Sequence, residues 1–268
     1  MTATAHVYTS DGFAIAVDGR QRWGHEPSRD RHISQLESDQ VQKLFEVTGR
    51  HMALAYSVKG DVASIDREFD FTAELEKTIS QLRDKRFLSI RRFLEVLSGR
   101  LEEVIEEALV QGRLEVYPTT ELCFVGYFRR KPCWVEVQFH RYRNRDGHLY
   151  EITEQGSRPG FCMVSGSLVV QELVQYEDPR VADFHTPLND KTSLEDASKL
   201  VTGYIRACCS DWALELDPTC RGIGGHVHVA TVTPPEPIKS RILRLFGFGS
   251  RNQTGFQWVT PPLRESSI

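Results

Sequence analysis

Thr2-Ala3-Thr4-Ala5-His6-Val7-Tyr8-Thr9-Ser10-Asp11-Gly12-Phe13-Ala14-Ile15-Ala16-Val17-Asp18-Gly19-Arg20 is the stretch from which the rest of the chain is read. His6–Thr9 and Phe13–Val17 alternate apolar with polar or small side chains, and Ser10-Asp11-Gly12 separates them. Asp-Gly between two such runs signals a β-hairpin. Residues 21 to 40 are polar, contain Pro27 and read as a surface loop, longest between 25 and 40. Beyond it, Lys43–Thr48 and His51–Ser57 flank Gly49 as a second hairpin.

From Asp61 the period changes. Ile65, Phe69, Leu75, Ile79 and Leu82 lie near one helical face, and Phe87, Ile90, Leu94, Leu97, Leu101, Ile105 and Ala108 continue at spacings of three and four. Gly112 is placed to end the second helix and Pro118 prevents its continuation. Strands return at Leu122–Phe128, Pro132–Phe139 and His148–Thr153 as a meander. Phe161–Val164 reads as a buried strand entering Ser165-Gly166-Ser167 and a short helix to about Gln175. Thr192 and Glu195 match a capping box for a helix carrying Ala197, Val201, Tyr204, Ile205 and Cys208. A last strand, His226–Thr233, stops at Pro234-Pro235. Helix pairs between groups of antiparallel strands indicate an α+β layered fold. The expected division is a domain over 1–233 and an extension with little regular structure over 234–268.

Composition narrows the function. The chain has 268 residues, 40% hydrophobic and 26% charged, with a net charge of −4. No global field draws it to nucleic acid or anionic lipid. The basic residues Arg129-Arg130-Lys131, Arg141, Arg143 and Arg145 flank strands without an aromatic stacking motif and read as a solvated hairpin rim. The longest apolar runs, Phe13–Val17 and Met52–Tyr56, are far short of the ~20 residues of a membrane helix, so no membrane is expected. The start of the chain lacks a basic and an apolar signal region, which makes the cytoplasm the expected location. Six cysteines include no C-x-x-C pair and read as reduced thiols. His226 and His228 share a strand face, but no third ligand is fixed nearby, and they read as core or sheet-surface residues. No cofactor or metal is expected.

Several segments together resemble the proteasome β-type subunits, of the N-terminal-nucleophile hydrolase superfamily. Thr2-Ala3-Thr4 and the run from Asp11 to Arg20 resemble that family's nucleophile and its A-D-x-R segment, without a gap. Gln42-Lys43-Leu44-Phe45-Glu46-Val47 is similar to its D-K-[IL]-F-x-[IV] strand, and Ser57-Val58-Lys59-Gly60-Asp61 to its G-x-x-A-D segment. Ser165-Gly166-Ser167, Thr192-Ser193-Leu194-Glu195-Asp196-Ala197 and Gly224-Gly225 with Val227–Thr233 resemble the later motifs, in order. The resemblance implies a four-layer αββα sandwich.

It also implies a chemistry. A threonine hydroxyl is a weak nucleophile, and an α-amino group with a pKa of about 7.7 to 8.0 can take its proton, so the nucleophile must be the first residue. Loss of Met1 would expose Thr2. Lys43 would lower the pKa of the amine and stabilise an alkoxide-like state, Asp18 would hold Lys43, and Ser165 would complete the catalytic set. The Ser57 N–H would serve as oxyanion donor. Gln21, Arg22, Ala55 and Lys59 would line the substrate pocket with Val41, Phe45 and Ala63, and Lys59, the charge facing a partly dry pocket, would attract an acidic side chain or a C-terminal carboxylate. A ring-like homo-oligomer acting on peptide or protein, with a regulatory ATPase as an admissible partner, is the implied setting. The apolar tail segment Ile242–Phe248 would suit a subunit interface or pack on its own domain.

Four departures weigh against activity. The family's D-x-x-S-G-G motif stands here as Cys220-Arg221-Gly222-Ile223-Gly224-Gly225, Ser57 replaces a glycine, and Arg22 replaces a threonine that binds substrate backbone. An inactive structural or regulatory relative, and a small-molecule amidohydrolase, therefore stand beside the peptidase reading. Intact-mass measurement separates them at the first step: the hydrolase readings require a chain that lacks Met1, and a purified protein that retains it has no N-terminal threonine nucleophile.

Overall fold

The computed structural model describes residues 2–23, 35–49, 51–61, 69–114, 116–156, 158–235 and 255–263. In chain order the elements are β1 (Thr4–Tyr8), β2 (Phe13–Asp18), β3 (Gln21–Trp23), β4 (Gln35–Ser38), β5 (Leu44–Gly49), β6 (Met52–Asp61), α1 (Phe71–Leu82), α2 (Ile90–Val110), β7 (Thr119–Phe128), β8 (Lys131–Phe139), β9 (Tyr150–Glu154), β10 (Phe161–Ser165), α3 (Leu168–Gln175), α4 (Leu194–Cys208), α5 (Asp211–Leu216), β11 (Val227–Val232) and β12 (Phe256–Thr260). They fall into two units, one of residues 1–45, 158–231 and 257–268 and one of residues 46–157 and 232–256.

The first unit is built on the sheet β10-β1-β2-β11-β12. The Asp11-Gly12 turn closes the β1–β2 hairpin in the register Tyr8↔Phe13 to Thr4↔Val17, with the Tyr8 and Phe13 rings stacked at 4.3 Å. Alternation divides the strands. Ala3, Ala5, Val7, Ala14, Ala16 and Val229 pack with Ala197, Val201, Tyr204, Ile205 and Cys208 of α4. Four alanines on the sheet side let the helix approach closely, and β1 and β2 are buried throughout their length.

The second unit is the meander β5-β6-β7-β8-β9 with α1 and α2 packed on it. Phe93, Leu94, Leu97, Leu101, Ile105 and Ala108 form the buried stripe of α2, and the Phe71 ring meets Phe139 edge-on at 5.7 Å. Gly112, with φ +73°, follows the end of α2 as its spacing required. The α+β class, with two antiparallel helix-backed sheets, is the one expected from the sequence.

Four local expectations change. The polar stretch 21–40 contains the paired strands β3 and β4, a separate two-stranded sheet. β6 continues four residues past Ser57, because Val58–Asp61 find partners in Leu122–Thr119, and the first described helix starts at Phe71 behind the cap Asp70. The tail is not devoid of regular structure: β12 adds an outer strand to the first sheet. Ile242–Phe248, Ile65 and Ala63 lie outside the described residues.

The fourth change is the start of α4. Its N-cap is Ser193, whose side chain accepts from Asp196 N at 3.1 Å and donates to Asp196 Oδ2 at 2.8 Å, whereas Thr192 Oγ1 accepts from Asn189 N at 2.8 Å. Both hydroxyls fit a capping pattern in sequence, and the turn at Asn189 claims the first. Ser193→Ala should cost about 1 kcal/mol and lower the melting temperature by about 2–4 °C. Thermal unfolding followed by circular dichroism measures it, and an unchanged midpoint would remove the cap assignment.

Candidate active site

Asp18, the last residue of β2, has no exposed surface. Its Oδ1 accepts from Ala3 N at 2.8 Å, and its Oδ2 accepts from Arg20 N at 3.1 Å and Gly224 N at 3.3 Å. Three chain segments cross at this point. Gly19 N donates to Gly224 O at 3.1 Å, Val41 N to Gly19 O at 2.9 Å, and His226 N to Asp39 O at 2.7 Å. The Gly224-Gly225 pair permits the crossing: a Cβ on Gly224 would stand 2.6 Å from the Arg20 guanidinium carbon, and Gly225 has φ +74° with Asp39 O in the space a Cβ would need.

Lys43, one residue before β5, reaches into the same place. Its Nζ donates to Thr2 Oγ1 at 3.2 Å, to Arg20 O at 2.5 Å and to Asp18 at 3.3 Å and 3.4 Å. An ammonium has three protons, and these acceptors use them all. Thr2 is 7% exposed, Lys43 9%. Burial pushes the Asp18 carboxyl up, opposed by the Lys43 charge and the three backbone N–H groups; burial pushes the Lys43 ammonium down, opposed by Asp18. The lysine is thus held charged by its partners while losing a proton more readily than a solvated one.

Thr2, Asp18 and Lys43 are thereby brought together. Ser165 shares its hydroxyl hydrogen bond, at 2.8 Å, with Thr4 Oγ1, its cross-strand neighbour. Gln21 is half-buried at the start of β3, and the backbone of Arg22 pairs with Leu36 after a register shift between Gln21 and Arg22. Ala55, Ser57 and Lys59 belong to the second unit, on β6, where Ser57 is buried opposite Cys123. Lys59 Nζ lies 3.3 Å from Glu121 across the β6–β7 pair. The uncompensated positive charge expected there is therefore matched by a carboxylate one strand away.

Sequence reading did not single out two further arrangements. Arg20 Nε and Nη2 donate to Asp39 at 2.6 Å and 3.3 Å, and Nη1 donates to Ile223 O at 3.2 Å, so the guanidinium braces the crossing. Asp39 lies in the polar stretch read as loop, and no pattern marks it. Near the altered D-x-x-S-G-G motif, Ser167 Oγ donates to Asp217 Oδ2 at 2.6 Å, while Cys220 and Ile223 are buried among apolar side chains. A serine–aspartate pair is present, displaced from the motif positions.

No family profile matches the chain, and no curated protein matches it. Solved structures do. An Anbu (Gly-1) mutant from Hyphomicrobium sp. strain MC1 is similar at 11% identity over 95% of this chain and 100% of that one, with a TM-score of 0.52. Anbu, the ancestral beta-subunit, from Yersinia bercovieri has 14% identity over 87% and 82% of the two chains, with a TM-score of 0.48. The Anbu complex from Pseudomonas aeruginosa, solved as a helical assembly, has 15% identity over 92% of each, with a TM-score of 0.48. The Hyphomicrobium likeness shows the fold, a proteasome-like sandwich of the N-terminal-nucleophile hydrolase type. The assignment to the proteasome β-type subunits is corrected: the similar structures named above are Anbu proteins, a distinct proteasome-like family.

Among the described residues no group of three His, Cys, Asp or Glu could hold a metal, and no helix is long and apolar enough to cross a membrane. His226 Nε2 donates to Pro261 O at 2.7 Å. His228, fully buried, has no hydrogen-bond partner on either ring nitrogen among the described residues, and its ring faces His226 at 5.0 Å and Trp258 at 6.5 Å. Burial first, then the charges of His226 and Lys43, lower its pKa to about 4. The unfolded chain binds this proton below its ordinary value of 6.5, so the contribution to stability is complete above that pH and is lost as pH falls towards 4. Urea denaturation should show about 3 kcal/mol of acid destabilisation across this window that His228→Gln lacks, and equal slopes for the two proteins would contradict the burial of a neutral imidazole.

Proposed function

We propose that this chain is an N-terminal-threonine amide hydrolase, a peptidase, working as a proteasome-like self-assembled particle. The observation that carries the reading is the Lys43 ammonium, within hydrogen-bonding distance of Thr2 Oγ1 and held from behind by Asp18 and Arg20 O. After removal of Met1, the Thr2 amine takes the hydroxyl proton as Oγ1 attacks the amide carbonyl. Lys43 stabilises the charge developing on Oγ1. The amine returns its proton to the leaving nitrogen, an ester on Thr2 remains, and water attacks that ester with the same amine as base. Both halves need a lysine that stays cationic, which the Asp18 carboxylate favours against the burial that lowers the ammonium's pKa.

Peptide rather than small-molecule substrate, and a closed ring, are the finer parts of this reading. A preference for acidic side chains through Lys59 is weakened by Glu121, which already shares its charge. The inactive-scaffold reading is favoured by one observation, the Ser165 hydroxyl being hydrogen-bonded to Thr4.

The two readings differ in a direct experiment. An epoxyketone should label the wild type at its N-terminal residue, and Thr2→Ala should take no label. Lys43→Ala should keep its fold by circular dichroism and lose on the order of 10³-fold in kcat/KM against peptide amides. A Thr2→Ala protein that labels to wild-type stoichiometry overturns the nucleophile, and a processed wild type that neither labels nor hydrolyses leaves the scaffold reading.

A further inference from the structure

Two surface tips of opposite charge stand out on the two units. On the second unit, Arg83, Lys85 and Arg86 are exposed in the α1–α2 loop, Arg130 and Lys131 in the β7–β8 turn, and Asp84 is the one acidic residue between 83 and 92. The turn is fixed to the loop because Arg129 Nη2 donates to Phe87 O at 2.6 Å and Arg129 N donates to His51 O at 2.6 Å. Leu88 projects from this basic tip, 85% exposed. On the first unit, α3 and the turn after it carry the opposite chemistry: Glu172, Glu177 and Asp183 are exposed, the intervening Arg180 is paired with Asp178, and Leu168 at the start of the helix and Tyr176 at its end are 73% and 76% exposed.

Helix ends reinforce both signs. The N-terminus of α2, a positive dipole end, has no acidic residue in its first turn. The C-terminus of α3, a negative end, has no basic residue in its last turn. A compensating charge at either end would contribute about 0.3–1 kcal/mol. The described non-glycine residues with left-handed φ are Arg129, Arg130 and Glu177, at the same two tips. Arg129 and Arg130 take the left-handed pair that a two-residue hairpin turn requires, and Glu177 the left-handed position that follows a helix end.

We propose that the basic tip of one copy seats against the acidic α3 tip of a second copy, Leu88 meeting Tyr176 and Leu168. The proposal rests on the self-assembly part of the reading above and names the surfaces. The contact joins two different patches, so each copy offers one of each to its neighbours. Nucleic acid would leave Leu88 uncovered and finds no exposed aromatic ring between 83 and 92, since Phe87 is buried.

The test is charge reversal read by light scattering in about 0.05 M and about 0.5 M salt. The wild type should exceed the 30.6 kDa chain mass and shrink as salt rises. K85E/R86E/K131E alone, and E172K/E177K/D183K alone, should each associate at least about tenfold more weakly while keeping the wild-type circular dichroism. An equimolar mixture of the two variants pairs opposite charges at every contact, and so does a single chain carrying all six changes; both should recover the wild-type size. Single reversals that keep the wild-type size overturn the proposal and leave self-assembly standing, as does a mixture that stays small. A wild type that remains monomeric overturns both, and labelling of Thr2 is unaffected by either. Binding of an anionic oligonucleotide by the wild type and not by the tip-reversed protein, with no change in size, would assign the tip to nucleic acid and also overturn the proposal.

Discussion

The Asp18 carboxylate is the constraint on which the arrangement of the first unit depends. A buried carboxylate is costly unless its lone pairs are occupied, and here three backbone N–H groups and one ammonium occupy them. Those donors come from the first residues of the chain, the end of β2, the segment entering β5 and the glycine pair before β11. Satisfying one charge therefore fixes four stretches that are distant in sequence. Removing Lys43 would strand that charge at a cost of about 3–5 kcal/mol unless Asp18 took up a proton. The lysine is a structural counter-ion before it is anything chemical.

That dual role explains how much of the site was legible beforehand. Thr2, Asp18 and Lys43 sit in fixed relation to strands whose alternation is plain in the sequence, so their neighbourhood follows once the strands are placed. Asp39 and Asp217 do not, because each acts through a loop whose path is set by tertiary contacts. Arg20 is near enough to Asp18 to be noticed, but its partner comes from a polar stretch with no periodicity. The fold was legible from the two hairpins, the helix pair and the meander. The register of the α4 cap and the extent of β6 were not, since Thr192 and Ser193 are equivalent as caps and the end of a strand depends on its neighbour's length.

The family was harder to read than the fold. Some of the motifs that suggested proteasome β-type subunits are those that bury an aspartate, a lysine and a threonine hydroxyl together. Any proteasome-like chain that keeps this arrangement has to keep them. Cys220 and Ile223 are where this chain departs from the proteasome pattern: polar residues were expected there, and both side chains are buried in an apolar cluster.

Those two positions show how such a site changes without losing its frame. An aspartate at 220 would need partners within a cluster formed by Val170, Tyr204, Cys208 and Ile223, and a cysteine needs none. A polar pair stands nearby, Ser167 with Asp217, where Asp217 is close to solvent and its carboxylate is held below its ordinary range by Ser167 and Thr219 against the effect of burial. Ile223 keeps the one atom the crossing requires, its carbonyl oxygen, which accepts from Arg20. Side chains around the centre can therefore be exchanged as long as the backbone groups that bind Asp18 and Arg20 stay in place, and the two glycines at 224 and 225 are what keep them there.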